Sequence, residues 1–381
     1  MSRMKSLFVA SLVFGMASAS AGALSRDFQT GDRTGTYSLN ELTQITRVTI
    51  NEFGRDAILA SIQLDLAAYS RRMLELNSAF ATPTTEREEA QGVTGNSKAQ
   101  RVDEVGRVTT KLNDAPPKVG YPIETSQYAV GWTAEYLLTA TPAQMALMTI
   151  DAERAMLQEH IAGIRAALLN PVNYTHNGYV DDKTTTDVKA LFNNDGQVPE
   201  RSPSLNTFDG THSHYLASAT LTVPAITALI TTIAEHTVNA QLVIYINTGD
   251  AYAWTQLAGF APFIDARVTS ATTATVANGG LDFANQAERD IGYFLGAVVR
   301  TRGWMPVGYA LCLDAGASNK VLRMRQPRQA ARQGLRMYSD VMIFPLQAEF
   351  FVEQFGYGVY NRGAAAVLQY TSGTYTVPAG L

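Results

Sequence analysis

The chain has 381 residues, 46% of them hydrophobic and 17% charged, with a formal net charge of −4. This is ample material for a core and enough length for roughly two or three domains. It excludes an intrinsically disordered chain and a protein whose whole surface grips nucleic acid, and the single cysteine, Cys312, excludes a disulfide within the chain.

The first stretch, MSRMKSLFVASLVFGMASASAGAL, supports two readings. Arg3 and Lys5 precede the uncharged run from Leu7 to Met16, and Ala17, Ala19, Ala21 and Ala23 follow it, which is the three-part pattern of an export signal. The same run is rich in Ala, Ser and Gly and suits a retained helix that packs on neighbours. Neither this run nor any later stretch has the apolar length that spans a bilayer.

Leu39 to Phe80 reads as a helix, because Leu42, Ile45, Val48, Ile50, Phe53, Ile58, Ile62, Leu66, Tyr69, Met73 and Leu76 recur mostly at steps of three and four. Gly54 is expected to interrupt it. From Ala81 to Tyr121 the chain turns polar, with charges of both signs and few large apolar residues, so it buries no core of its own. Val102, Val105, Val108 and Leu112 among those charges fit a long exposed β-hairpin; a plain linker is the alternative.

The clearest local signal is TPAQMALMTIDAERAMLQEHIAGIRAALLNP. Thr141 is the expected N-cap, Pro142 the first helical residue and Gln144 the partner in a capping box, while Asn170-Pro171 stops the helix. Its expected apolar stripe is Leu147, Ile150, Leu157, Ile161, Ile164 and Leu168, widened by Met145, Met148, Ala152 and Ala155. At 1.5 Å per residue such a helix runs ~43 Å, the dimension of a strut.

Tyr174 to Thr211 is irregular. Beyond it a helix is expected over Val223 to Thr237, and a doubly covered strand over Gln241 to Ile246. A short helix is expected over Asp250 to Leu257, and strands over Ile264 to Val268, Ala297 to Thr301 and Val307 to Leu313. Arg323, Arg325, Arg328, Arg332 and Arg336 form a basic stretch with near-helical spacing, read either as a solvated helix face or as a contact for phosphate or a neighbour's carboxylates. The tail reads as β structure, with Asn361-Arg362-Gly363 turning a hairpin between two strand-like runs.

Catalytic patterns are missing. GASNK and GYGVYNRG lack the spacing of phosphate-binding loops, and no nucleophile elbow or His-Glu-x-x-His is present. His212 and His214 read as two polar loop histidines rather than metal ligands, and Glu159-His160 and Glu235-His236 as surface pairs. Cys312 reads as a small core residue. Asn173-Tyr174-Thr175 matches a glycosylation triplet, of consequence only after export. No catalytic residue, metal or cofactor is expected, and no enzyme.

The order of parts resembles the major capsid proteins of tailed bacteriophages. An amphipathic arm leads to a polar loop, a long capped helix, an α/β region and closing strands. VGYPIETSQYAVGWTAEYL (Val119 to Leu137) resembles that family's passage from extended loop to spine helix. FDGTHSHYLASATLTVPAITALI (Phe208 to Ile230) is similar to the start of its axial domain, and FFVEQFGYGVYNRGAAAVLQY (Phe350 to Tyr370) to its closing strands.

The resemblance implies an α+β, Hong Kong 97-like fold: N-terminal arm 1–80, extended loop 81–128, peripheral domain 129–215 with spine helix 141–169, axial domain 216–336 and closing strands 337–381. It implies a shell of hexamers and pentamers around double-stranded DNA touched non-specifically, in a virion assembled in the host cytoplasm, with portal, scaffold or decoration proteins as partners and no membrane. Intersubunit contacts are then expected at Arg87, Glu88, Arg101, Asp103, Glu104, Arg107 and Lys111 of the loop, and at Arg323, Arg325 and Arg328. Lys98, Lys111 and Lys118 lie in the segment some members cross-link, but no partner Asn is identifiable and no cross-link is expected. The segment before Leu39 is too short for a fused scaffold, and cytoplasmic assembly favours the retained arm over the export signal. An encapsulin-like compartment, or a secreted surface protein if the signal is real, are the rival readings.

Overall fold

A computed structural model describes residues 37–91, 101–102, 104, 106, 117–181, 183–199, 208–237, 239–263, 289–340 and 346–381. In chain order its helices are α1 (Leu39–Leu42), α2 (Ile50–Phe53), α3 (Arg55–Asn77), α4 (Ala134–Thr139), α5 (Pro142–Leu169), α6 (Val223–Ala234) and α7 (Ala251–Thr255). The strands are β1 (Ala81–Thr84), β2 (Glu88–Ala90), β3 (Lys118–Gly120), β4 (Glu124–Thr133), β5 (Tyr174–Asn177), β6 (Thr185–Val188), β7 (Tyr215–Ala217), β8 (Leu242–Ile246), β9 (Phe260–Pro262), β10 (Asp290–Phe294), β11 (Ala297–Thr301), β12 (Tyr309–Asp314), β13 (Leu322–Arg325), β14 (Arg336–Asp340), β15 (Leu346–Val359) and β16 (Ala365–Gln369). Among the described residues two compact units form: one lies within 37–72, Gln127–Met156 and Gly334–Glu353, the other within Met73–Ser126, Leu157–Gln333 and Gln354–Leu381.

In the first unit the expected single helix is three. Ser38 and Thr49 each cap a four-residue helix with a full capping box, closed by Glu41 and Glu52. Gly54, at φ +102°, ends α2 in a conformation only glycine adopts freely, and α3 restarts at Arg55. The expected stripe is buried along α3 at Ile58, Ile62, Leu66 and Tyr69. Two backbone bonds tie this arm to the chain around the start of α5: Ile50 N donates to Ala140 O (2.9 Å) and Ala143 N to Ile45 O (3.3 Å).

α5 begins and ends where the caps predict, and Thr141 N donates to Gln144 Oε1 at 3.0 Å. Its buried face is rotated from the expected one. Met145, Thr149, Ala152, Met156, His160, Ile164 and Leu168 are covered, while Leu147 is 54% exposed. His160 is thus no surface residue: its ring stacks on Phe355 at 3.8 Å, and its Nδ1 lies 2.7 Å from the Tyr357 hydroxyl, which also accepts from Asn77 Nδ2. A stripe count favours leucine over histidine, and here a hydroxyl partner reverses that preference.

The second unit centres on a seven-stranded sheet in the order β7-β16-β12-β8-β11-β10-β9. β8 lies at its middle, parallel to β11 and antiparallel to β12. Alternation along β8 feeds two cores. Ile244 and Ile246 join Ile226, Leu229 and Ile233 of α6 and Trp254 of α7. Val243 and Tyr245 join Phe80, Ile164, Leu168 and Leu311. The strand is covered on both faces, as its unbroken apolar run predicts. Cys312 is fully buried on the α6 side, and burial pushes its thiol pKa up. The strand expected over Ile264 to Val268 falls outside the described residues.

Two expectations are corrected. Asn361-Arg362-Gly363 makes a turn but no hairpin: β15 pairs with β13, whereas β16 pairs with β12 and β7, so the turn hands the chain from one sheet to another. The basic stretch is not one helix; only Arg332 lies in a helical turn, the single 3-10 turn Ala330–Arg332. Arg323 and Arg325 lie on β13, every residue of which is buried, and Arg336 opens β14. Spacings of two, three and four among arginines do not separate strand from helix when the intervening apolar residues are few.

The glycines of FGYGVY have a steric cause. A Cβ on Gly356 would collide with the Pro122 carbonyl, and one on Gly358 would lie 2.9 Å from Gly120 O. The strand thereby lets residues 120–123 cross against its bare backbone. Gly356→Ala is expected to cost about 1–3 kcal/mol, read as a lower denaturation midpoint at unchanged m-value, because backbone must move to admit one methyl.

Candidate histidine centre and interface segments

Three of the chain's five histidines converge. His212 and His214 stand on the approach to β7, and His236 follows Glu235, the C-cap of α6. Their Nε2 atoms form a triangle with every edge 3.0 Å. His214 is completely buried and anchored twice to β16: its Nδ1 lies 2.6 Å from Ala365 O, and its own carbonyl accepts from Val367 N at 2.8 Å. A carbonyl only accepts, so His214 Nδ1 carries the proton and donates it, leaving Nε2 as an open lone pair.

Aromatic rings collar the cluster. Phe192 stacks on His236 (5.9 Å) and Phe208 on His236 (4.7 Å), and Phe208 also tilts against His212 (4.8 Å). Burial is the first cause that depresses all three imidazoles: His214 well below the usual value, His236 to about 4, and His212 less, since Glu235 and Asp209 counter it. Gly363 leaves the room: a Cβ there would sit 3.2 Å from the His236 ring. Two polar loop histidines and a surface Glu-His pair are therefore corrected to one part-buried cluster. Sequence reading missed it because His236 lies 22 residues beyond His214. The legible hint was the His-x-His spacing, which on extended chain points both rings to one side.

Beside the cluster sits Arg362, fully buried and bonded to Ala190 O (2.6 Å), Leu191 O (3.1 Å), Asn193 Oδ1 (3.2 Å), Gln197 Oε1 (2.5 Å) and Asp195 Oδ2 (2.9 Å). Its guanidinium lies over Phe192 at 4.7 Å. Asn173 of the glycosylation triplet is held here too, its Nδ2 donating to Asp195 at 2.7 Å and its Oδ1 accepting from Ala190 N at 2.9 Å.

The expected contact residues divide. β2 and β3 pair antiparallel, Glu88 opposite Gly120 through Ala90 opposite Lys118, so the polar loop has a hairpin stem. On it Lys118 Nζ donates to Glu88 at 2.9 Å, and Arg87 donates to Thr184 Oγ1 at 2.8 Å. Arg101 and Glu104 are exposed, whereas Asp103, Arg107 and Lys111 fall outside the described residues. Arg323 and Arg325 turn inward. Arg323 reaches Glu89 (3.3 Å) and covers the Tyr360 ring (3.9 Å); Arg325, 2% exposed, donates to Tyr121 O (3.1 Å) and faces Asp181 (3.9 Å). They brace the loop stem within their own chain. Arg328 is exposed.

No family profile and no curated protein matches the sequence. Solved structures do. A chain of Mycobacterium phage Patience superposes with TM-score 0.63 at 22% identity, over 92% of this chain and 97% of that one. Weaker likenesses include the capsid of a native GTA particle, at TM-score 0.47 and 12% identity over 93% and 99% of the two chains. The holo-SrpI encapsulin complex of Synechococcus elongatus PCC 7942 gives 0.44 and 11% over 78% and 88%. The chain has the α+β, Hong Kong 97-like fold that its order of arm, polar loop, spine helix, central sheet and closing strands resembles.

Proposed function

We propose that this chain is the major capsid protein of a tailed bacteriophage, a non-enzymatic subunit of an icosahedral shell of hexamers and pentamers enclosing double-stranded DNA. The carrying observation is the end-to-end likeness to the phage chain, which covers nearly the whole of both molecules. In this reading residues 81–128 are the loop that lies over a neighbour and α5 is the spine. Apolar side chains left open, such as Leu64, Leu76, Leu138 and Leu147, are surfaces for other subunits. Residues 216–336 are the axial domain, 337–381 return to the peripheral domain, and 1–80 are a retained N-terminal arm. Exposed loop charges such as Arg101 and Glu104 pair across subunits, while the net charge of −4 keeps the inner wall from gripping DNA. A portal, and scaffold or decoration proteins, complete the particle, which assembles in the host cytoplasm.

In a density gradient of lysate from cells that naturally make the protein, the chain is expected to travel with nuclease-protected double-stranded DNA. Travel with a packaged protein and no DNA would favour the encapsulin-like reading. Recovery as single chains outside the cells, with the first residues missing, would establish the secreted one.

A further inference from the structure

The histidine triangle cannot be satisfied by protons. His214 Nε2 has none to give, because that ring's hydrogen is committed at Nδ1 to Ala365 O. If His212 and His236 both donate to it, their own two hydrogens confront one another across 3.0 Å. If only one donates, at least one of the three short edges is a contact between lone pairs. Like-sign dipoles this close, with one member fully buried, are a costly arrangement for a folded chain to keep.

A cation resolves all three edges at once. A face of an octahedron with metal–nitrogen bonds of about 2.1 Å has edges of about 3.0 Å, and a tetrahedral face has edges of about 3.4 Å. The observed triangle, 3.0 Å on each edge, meets the first, and a small outward swing of the rings would reach the second. The surroundings agree. The Nδ1 donation from His214 to a carbonyl is the outer contact that fixes a ligating imidazole in its tautomer and orientation. The aromatic collar of Phe192 and Phe208 limits the swing of the rings. Asp209 and Glu235 supply negative charge near His212, and the nearest buried cation, Arg362, is balanced by Asp195.

We propose that His212, His214 and His236 bind one divalent transition cation of the Zn²⁺ class through their Nε2 atoms, stapling the end of α6 to the approach of β7. An all-imidazole set selects Zn²⁺, Co²⁺ or Ni²⁺ over Mg²⁺ and Ca²⁺, which take oxygen. Water completes the coordination sphere. The role is structural: the ligands come from both ends of a segment running from His212 to His236, so the cation closes a loop that includes edge strand β7 and the whole of α6. This replaces the expectation of no metal, and it stands whether or not the chain builds a capsid.

The test uses the tag-free full-length chain, stripped with a chelator and titrated with Co²⁺ alone. One equivalent per chain is expected, with the visible ligand-field bands of nitrogen-coordinated cobalt. Zn²⁺ is expected to displace it and excess Mg²⁺ not to. Saturating Zn²⁺, about a hundredfold above its dissociation constant, is expected to raise the melting temperature by about 3–6 °C. His212→Gln and His236→Gln alter the two half-buried positions, where the folded chain tolerates change best, and each is expected to lose the cobalt bands and the Zn²⁺-dependent shift. Failure of the unaltered chain to take up Co²⁺ or Zn²⁺ at micromolar concentration would overturn the proposal. So would uptake that survives both substitutions. Should either variant not fold, the titration and melting shift of the unaltered chain decide alone.

Discussion

Arg362→Met is expected to remove about 3–5 kcal/mol from the unit that contains it, enough to leave much of the chain unfolded or aggregated on expression. The guanidinium is wholly buried and serves five acceptors, four of them within the segment Ala190 to Asp195 and the fifth at Gln197. Methionine fills much of the volume but strands the Asp195 carboxylate and two backbone carbonyls. Lysine is expected to rescue only part of the loss, since a single ammonium cannot match a planar fork with five donors. Chemical denaturation of the wild-type, methionine and lysine chains measures this. Equal stability of all three would show that the buried network is dispensable.

The same pair carries a pH signature. Burial raises the Asp195 carboxyl, but bonds from Arg362 and Asn173 lower it further, and it ends below the usual carboxylate range. The stabilisation is therefore complete above the unfolded value near 4 and is lost as pH falls through the lower, folded one.

Removing residues 92–116 and joining Gln91 to Pro117 through a short Gly-Ser-Gly-Ser linker is expected to abolish particle formation while leaving the subunit folded. The stem makes the excision possible. Gln91 N donates to Pro117 O at 2.8 Å, so the two ends already face each other across an antiparallel pair that a short flexible linker can span. Among the described residues the stem is braced from beneath: Arg325 holds Tyr121 O, Arg323 holds Glu89, and Gly356 and Gly358 admit residues 120–123. Under the capsid reading the excised segment is what reaches a neighbouring subunit. Sedimentation and thermal melting together read the outcome. Particles of undiminished yield would mean that the loop is not an assembly element. Loss of the melting transition would instead mean that the stem needs its tip to fold.

Much of the architecture was legible where the signal is local. Thr141-Pro142 and Asn170-Pro171 mark both ends of α5, and the run Leu242–Ile246 announces a strand covered on two sides. What was not legible depends on partners far along the chain. The buried face of α5 includes His160 only because Phe355 and Tyr357 meet it there. The turn at Asn361-Arg362-Gly363 has hairpin chemistry, yet β16 finds better partners in β12 and β7 than in β15. The histidine centre needed the end of α6 to return beside the approach to β7, a juxtaposition no spacing rule encodes. Arg323 and Arg325 illustrate a third limit: positive charge reads as surface until the structure supplies Glu89, Asp181 and a backbone carbonyl to receive it.

The central claim is that this fold serves as a shell subunit, and electron microscopy of the full-length chain recovered from the cytoplasmic fraction of expressing cells tests it most directly. Closed particles of uniform size, with five- and six-fold clusters of subunits resolved on averaging, are the predicted result. A population of folded monomers or small oligomers that forms no shells, at high protein concentration and across a range of ionic strength, would contradict it.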